Sequence, residues 1–369
     1  MTGKIPRGQA TPSAVALIGC GRIGFLLEGD PLRYKPCTHW GGASAAGLAI
    51  THACDIDAAR LARFGTAAGI PDDRLSTDYR HLLARARPRI AVIATWTDSH
   101  AAIAIEAARR GARVIVLEKP MASSLSQCRR IIEECRRRDT AVIINHERRY
   151  DGRYRKVKEL IARGTIGEVK TVHASVLTGG YAGPSDAAEG GGPLLHDGTH
   201  MVDMARYLFG EITWVRGRFE REKRKRGFED RACAWIRTAG GIDIFLEAGG
   251  SRGYFLFELD ISGTRGRIVI GNGYERIYRS RASRLYTGFR DLEERSFPAW
   301  RRNNCFRDLY REARALAGGG PPPVSGAEDG YRALEVIHAV YLSASRGGET
   351  LGIPVSPGSM DLKKIFGLT

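Results

Sequence analysis

Between residues 14 and 150, short apolar runs alternate with segments of helical spacing, and that alternation leaves few architectures open. AVALIG (14–19), AITHACDID (49–57), RIAVIATW (89–96), ARVIVLEKP (112–120) and TAVIINHERRY (140–150) each carry a core too short for a helix, with a turn residue or a charge at the end. Runs of this kind suit parallel strands buried on both faces. Between them, DAARLARFGTAAG (57–69), HAAIAIEAARRG (100–111) and SLSQCRRIIEECRRRD (124–139) place apolar residues at helical spacing. Ser124 and Ser126 are both suitable N-caps for the last of these. Strand and helix in strict alternation predict βαβ units and a doubly wound parallel sheet.

After residue 150 the pattern changes. Residues 156–176 read as a helix and then a strand. ACAWIRTA (232–239), GIDIFLEAG (241–249), YFLFELDISGT (254–264) and GRIVIGN (266–272) follow about ten residues apart, punctuated by Gly and Asp. Such spacing predicts a mainly antiparallel sheet. GGGPPP (318–323) breaks the chain, and a final helix is expected near 327–346. The fold class is therefore α/β in two domains, with boundaries expected at 1–145 and 146–369. No repeat is evident.

GCGRIG (19–24) follows the first strand and fits G-x-G-x-x-G. The spacing alone is common; the preceding strand and the acid that ends the next strand give it weight. Gly19 permits a tight turn, Gly21 lets backbone approach a pyrophosphate, and Gly24 allows close packing, with Arg22 and Ile23 between them. Asp55 would accept hydrogen bonds from the adenosine ribose. It lies 31 residues beyond Gly24 rather than about 20, so Phe25–Pro36 reads as an insertion that lengthens the crossover. An acid at this position repels a 2′-phosphate and favours NAD. Nearby Asp57 is a substitute for Asp55, and Arg60 leaves NADP open.

Residues 190–203, GGGPLLHDGTHMVD, place two histidines and two aspartates within eight residues. On one continuous helix His196, His200 and Asp203 share a face. Histidines four apart also suit zinc, and HDGTH imitates H-E-x-x-H. The acid is too short for that motif, Gly198 weakens the helix, and no third ligand follows, so no metal is expected. Seven irregularly spaced cysteines without a CxxC give neither a disulfide framework nor a zinc site.

These stretches, together with IATWTDSH (93–100), VIVLEKP (114–120), NHERRYD (145–151), IGEV (166–169), GGGPLLHDGTHMVDMARYLFG (190–210), SGTRG (262–266) and EDGYRALEVIHAVYLSA (328–344), occur in an order that closely resembles the glucose–fructose oxidoreductase and inositol dehydrogenase (Gfo/Idh/MocA) family. The resemblance spans roughly residues 14–355. It implies a Rossmann domain and an α/β domain whose open sheet commonly joins subunits, here as a homodimer or homotetramer. It also implies hydride transfer between a nicotinamide and a hydroxyl carbon of a sugar, a cyclitol or another polyol; the basic charge and paired arginines make a nucleotide sugar the expected subclass. Lys119 and His200 fall on its catalytic positions, and Thr95, Trp96, His100 and Glu118 on the nicotinamide side. One departure stands out: members often carry Asp four residues before the histidine, where this chain has His196 followed by Asp197.

The chemistry agrees with the residue types. Oxidising an alcohol requires a group near neutral pKa to take the hydroxyl proton, which suits His200. A lysine on the same oxygen stabilises developing negative charge. His196, Asp197, Arg148, Arg149, Tyr150 and Tyr181 are the expected substrate neighbours. One of the paired arginines is expected to hold a substrate oxygen or phosphate and the other to serve in a salt bridge.

The net charge of +16 is spread along the chain. Its densest run, Arg218–Arg226, contains two glutamates and no nucleic-acid motif surrounds it. An anionic small molecule is the better reading of this field. No run approaches the ~20 apolar residues of a membrane span, and the polar N-terminal stretch lacks the apolar centre of a signal peptide, so a cytoplasmic enzyme is expected. A dinucleotide-binding sensor or scaffold that has lost turnover is the alternative; the retained Lys119 and His200 speak against it.

Overall fold

The computed structural model describes residues 14–178, 191–221, 227–355 and 362–366. Tyr181 lies outside these residues. Strands β1 (Val15–Ile18), β2 (Ile50–Cys54), β3 (Leu75–Ser76), β4 (Ile90–Ile93), β5 (Val114–Leu117) and β6 (Ala141–Ile144) form one parallel sheet in the order β3-β2-β1-β4-β5-β6. Helices α1 (His39–Ala45), α2 (Ala58–Ala68), α3 (Tyr79–Ala86), α4 (Thr97–Arg109) and α5 (Leu125–Arg137) are the crossovers. Every residue of β1, β4 and β5 is buried, as near-continuous apolar runs require. Of the two candidate caps for α5, Ser124 is used, its side chain accepting from Gln127 N at 3.3 Å.

The strand ends are level. Ile18 pairs with Cys54 and Ile93, Ile93 with Leu117, and Leu117 with Ile144. The next residues along each chain are therefore delivered to one edge of the sheet: Gly19, Asp55, Ala94, Glu118 and Asn145. Strand order reverses between β1 and β4, where open α/β sheets bind ligands.

The insertion has a definite shape. His39 N donates to Ile23 O at 3.0 Å and Trp40 N to Gly24 O at 3.1 Å. These partners are sixteen residues apart where a continuous α-helix has four. The twelve residues of 25–36 are thus looped out of a crossover helix that resumes at α1. Thr38 caps it by accepting from Gly41 N at 3.1 Å.

The second half begins with α6 (Gly152–Ala162), β7 (Val169–Leu177), α7 (Pro193–His196) and α8 (Gly198–Phe209). Strands β8 (Ile212–Glu220), β9 (Arg231–Thr238), β10 (Asp243–Gly249), β11 (Leu256–Gly263), β12 (Gly266–Gly271), β13 (Tyr274–Ala282) and β14 (Arg290–Arg295) follow. The chain continues through α9 (Cys305–Ala317), α10 (Ala327–Ser345), β15 (Leu351–Gly352) and α11 (Leu362–Phe366). The nine-stranded sheet runs β14-β13-β12-β11-β7-β10-β9-β8-β15. It is antiparallel except where β10 pairs with β7. Alternation along β9 and β10 buries Ala232, Ala234, Ile236, Ile244 and Leu246 in the core and turns Trp235 and Phe245 outward. One face is packed and the other open, the usual state of antiparallel sheets.

The halves are not separate in sequence. Leu309, Tyr310 and Ala313 of α9 join the core cluster of Val15, Leu17 and Val92. Ile144 N donates to Ser325 O at 2.9 Å. The chain therefore returns to the first sheet after building the second, a departure from a single boundary near residue 145. The ten-residue rhythm also does not reveal β8, β13 or β14, where arginines interrupt the apolar pattern.

Glu229 ties the start of α7 to α10. It is buried, and its Oε1 accepts from Leu194 N at 3.0 Å and Tyr341 Oη at 2.8 Å. Gly192 is obligatory here, because a Cβ would lie 2.0 Å from Glu229 Oε2. Burial pushes this carboxyl up to about 7, against those two hydrogen bonds. Between its ordinary 4.5 and about 7 the folded protein holds a proton that the unfolded chain has lost. That stabilisation is complete below pH 4.5 and is lost as pH rises through about 7. Glu229→Gln keeps the acceptor without the titration. Denaturant unfolding should show it gaining on the wild type from pH 5 to pH 8; a constant difference would contradict this.

Candidate active site

At the first strand exit, Gly19 has φ +97°, and a Cβ there would meet Ala94 O at 2.5 Å. A Cβ on Gly24 would lie 2.2 Å from Gly19 O, whereas one on Gly21 meets nothing nearer than Arg60 Nη1 at 3.7 Å. Gly19 and Gly24 close the turn, and Gly21 keeps its outer side clear. Among the described residues, the backbone N–H groups of Arg22 and Ile23 donate to no other group. Clear space beside unused N–H donors is what a pyrophosphate requires.

Asp55 lies beside this loop. Its Oδ2 accepts from Cys20 N at 2.8 Å and its Oδ1 from Asp57 N at 3.0 Å, with Arg60 Nη1 3.8 Å away. Each oxygen retains a lone pair for a ribose hydroxyl. Asp57 instead caps α2, accepting from Arg60 N at 3.0 Å and Arg60 Nη2 at 2.9 Å. The two acids thus have different surroundings, and Asp55 is the one bound to the glycine loop.

At the β4 exit, Thr95 accepts from Ser99 Oγ at 2.7 Å and Trp96 stands exposed at the start of α4. His100 is buried, its two ring nitrogens 3.0 Å from Pro120 O and Thr95 O. It braces the β4 and β5 exits from beneath, and burial lowers its pKa. Glu118 is buried too. His39 Nε2 lies 2.9 Å from its Oε1, and Asn145 Nδ2 donates to the same oxygen. Burial alone would raise its pKa, but His39, Lys119 and Asn145 hold it down at about 2. His39 Nδ1 contacts Tyr310 Oη at 2.8 Å, so α1 and α9 fix the carboxylate. His39 was concealed in a stretch without periodicity.

Lys119 Nζ donates to His196 O at 3.1 Å, which joins the β5 exit to α7. Asp197 interrupts the helix: α7 ends at His196 and α8 begins at Gly198. His196 Nδ1 and Asp197 Oδ1 are 3.1 Å apart. Burial opposes ionisation of Asp197, yet His196, Lys119 and Arg148 lower its pKa. His196 thus offers its backbone carbonyl to Lys119 while its ring meets the Asp197 carboxylate, a pairing of neighbours that a regular helix would set about 100° apart.

His200 lies one turn along α8, its side chain 11% exposed and its Nδ1 3.2 Å from Glu147 Oε2. Burial lowers its pKa well below 6.5, and Lys119, Arg148, His146 and His196 reinforce this. Among the described residues, no group of three or more His, Cys, Asp or Glu is placed to hold a metal ion.

The paired arginines separate. Arg149 is buried and donates to both carboxylate oxygens of Asp203 at 2.9 and 2.7 Å, to Asp329 Oδ1 at 2.9 Å and to Val324 O at 2.8 Å. Its donors are consumed in joining the β6 exit to α8 and α10. Tyr150 is also buried, and its hydroxyl donates to Glu312. Arg149 and Tyr150, expected at the substrate, are instead internal ties. Arg148 Nη1 donates to Asn272 Oδ1 at 3.1 Å, and its guanidinium carbon sits 3.5 Å from the centre of the Phe257 ring. Its Nε has no partner among the described residues. That nitrogen is itself buried, but Arg148 as a whole is half-buried, and a stacked guanidinium whose outer edge stays accessible suits an anionic or polar ligand group.

A glycine cradle and a polar cluster, meeting at the reversal point of a doubly wound sheet, define a dinucleotide-dependent oxidoreductase. The comparisons agree. Residues 13–146 match the oxidoreductase family with an NAD-binding Rossmann fold, and residues 154–269 match the GFO/IDH/MocA C-terminal domain. The chain belongs to the Gfo/Idh/MocA oxidoreductase family. It is 26% identical to a D-apiose dehydrogenase of Rhizobium rhizogenes over 90% of this chain and 95% of that protein. It is 28% identical to an inositol 2-dehydrogenase of Saccharopolyspora erythraea over 93% and 96%. Among solved structures it resembles the WlbA dehydrogenase of Bordetella pertussis in complex with NADH and UDP-GlcNAcA (TM-score 0.76, 19% identity, 95% of this chain and 100% of that one). It also resembles levoglucosan dehydrogenase with NADH and levoglucosan (TM-score 0.74, 20% identity, 93% and 99%).

The two arginines should respond differently to replacement. Arg149→Leu leaves Asp203 buried without its main partner and should cost about 3–5 kcal/mol in denaturant unfolding. Arg148→Ala should leave stability within about 1 kcal/mol and act on KM. The reverse pattern would contradict the assignment.

Proposed function

We propose that the protein is an NAD-dependent dehydrogenase that oxidises a secondary hydroxyl of a sugar or cyclitol, with Lys119 and His200 acting on the same oxygen. The observation that carries this reading is their proximity: Lys119 leaves β5 and donates from Nζ to His196 O, four residues before His200 at the start of α8, and the Lys119 charge acts on the His200 ring. Gly19, Gly21, Arg22, Ile23, Gly24 and Asp55 would hold the dinucleotide, with Thr95 and Trp96 beside its nicotinamide end. When bound, NAD⁺ supplies the hydride acceptor. His200 is neutral at physiological pH because burial and its cationic neighbours disfavour the charged ring. It is therefore ready to accept the hydroxyl proton, while Lys119 donates a hydrogen bond to that oxygen and stabilises its developing charge.

A substrate bearing an anionic group, such as a nucleotide sugar, is the subclass favoured by Arg148 and by the formal charge of +16. The open sheet face supports a homo-oligomer. His173, Phe245, Trp235 and Trp214 form an aromatic row with ring centres 5.5, 5.8 and 5.2 Å apart, a surface a second copy would cover. None of the seven cysteines is in a disulfide, and no helix among the described residues is long and apolar enough to cross a membrane. Both facts support a cytoplasmic site of action.

A screen of free sugars, inositols and nucleotide sugars, followed at the absorbance of reduced nicotinamide, tests the activity. Lys119→Ala and His200→Asn should each lower kcat by about 10²-fold or more while NADH still binds; wild-type turnover in either would remove that residue from the reaction. His196→Asn should act mainly on KM. Asp55→Asn keeps an acceptor for Cys20 N and removes the charge. It should shift the ratio of kcat/KM for NAD and NADP toward NADP; an unchanged ratio would take Asp55 out of cofactor selection.

A further inference from the structure

The proton-transfer histidine needs a partner for its second nitrogen. A neutral imidazole has one donor and one acceptor, and the group bonded to one nitrogen decides which tautomer faces the substrate. His200 Nδ1 is buried, and no aligned hydrogen bond reaches it among the described residues. Its own helix offers no acid: the Asp197 carboxylate faces His196, and the Asp203 carboxylate is taken by Arg149 and His146. The acid that does approach is Glu147, whose Oε2 lies 3.2 Å from Nδ1, off the line of a hydrogen bond. Short, misaligned contacts of this kind tighten when substrate closes a site.

We propose that Glu147 is the positioning residue of His200. It accepts from Nδ1–H, fixes the tautomer that turns a bare Nε2 toward the substrate hydroxyl, and balances the imidazolium formed when that hydroxyl's proton moves to Nε2. The O–H bond breaks, the N–H bond forms at Nε2, and the Nδ1 proton stays where it is. The backbone supports the assignment. Glu147 stands three residues beyond the end of β6, next to Arg148, in the short 3-10 turn 147–150 whose Arg149 is locked to α8. That lock holds Glu147 against the helix that carries His200.

The surrounding charges show why such a partner matters. From β5 comes Lys119; from the β6 exit, His146, Arg148 and Glu147; from the α7–α8 junction, His196 and Asp197. The cations among them disfavour a charged His200, which makes proton acceptance harder, and Glu147 is the carboxylate directed at the ring. Burial raises the pKa of Glu147 itself, with Arg148 and Lys119 opposing and Glu118 adding to it.

The inference rests on His200 being the proton acceptor, and the test separates the two ideas. Nitrogen-15 histidine spectra of the full chain without cofactor report the His200 tautomer, with His200→Asn assigning the signal. The wild type should show Nδ1–H. In Glu147→Gln the His200 titration should fall by about one pH unit, and kcat should fall about 10-fold or more, with KM little changed. The acid limb of the kcat profile should move down with the titration, and Glu147→Asp should recover part of the loss. An Nε2–H tautomer in the wild type, or an unchanged titration and acid limb in folded Glu147→Gln, would overturn the role of Glu147. If Glu147→Gln does not fold, the wild-type tautomer and Glu147→Asp still decide. Full activity in His200→Asn would instead overturn the proton-acceptor reading.

Discussion

The parallel register of β1, β4, β5 and β6 is the constraint on which the rest depends. Their buried cores end level at Ile18, Ile93, Leu117 and Ile144, and each is followed by polar or turn-forming residues. Backbone pairing therefore brings together side chains more than a hundred residues apart in sequence. Because these strands are buried on both faces, a one-residue slip would draw a polar exit residue into the sheet interior and push an apolar one out at the other end, so burial enforces the alignment. Function draws on a geometry that core burial already requires.

A second layer converts this edge into a site. Arg149, Asp203 and His146 form a buried polar knot, with the half-buried Asp329 at its edge, joining the β6 exit, α8 and α10. Removing one partner would leave buried charge exposed to a low-dielectric interior, which makes the knot both costly and specific. It sets α8 against the strand exits. Lys119 donates to the His196 carbonyl at the α7–α8 junction, and its charge acts on both Asp197 and His200. His39 and Tyr310 perform a similar service for Glu118 from the other side.

Much of this was legible in the sequence. Short apolar runs marked the parallel strands because burial on both faces removes alternation. The glycine loop and the twelve-residue insertion were readable because each breaks a regular pattern after a strand, whereas Lys119 and His200 stood out through the resemblance to the family. Arg148 and Arg149 could not be told apart in advance, since adjacent residues on a 3-10 turn point in different directions and only the tertiary partners decide which is consumed. His39 and Glu147 act through contacts across 79 and 53 residues of sequence, and no local period signals such a contact. The return of α9 to the first sheet was hidden likewise, because an amphipathic helix declares that it has a buried face but not which core receives it.

The central claim is that Lys119 and His200 act on one oxygen. A double-mutant cycle in single turnover, using Lys119→Ala, His200→Asn and the combined variant, tests it most directly. Residues that work as a unit lose most of their effect with the first substitution. The account predicts that the double variant is little slower than the slower single variant. Losses that multiply, as for independent sites, would show that the two residues do not share the reacting oxygen.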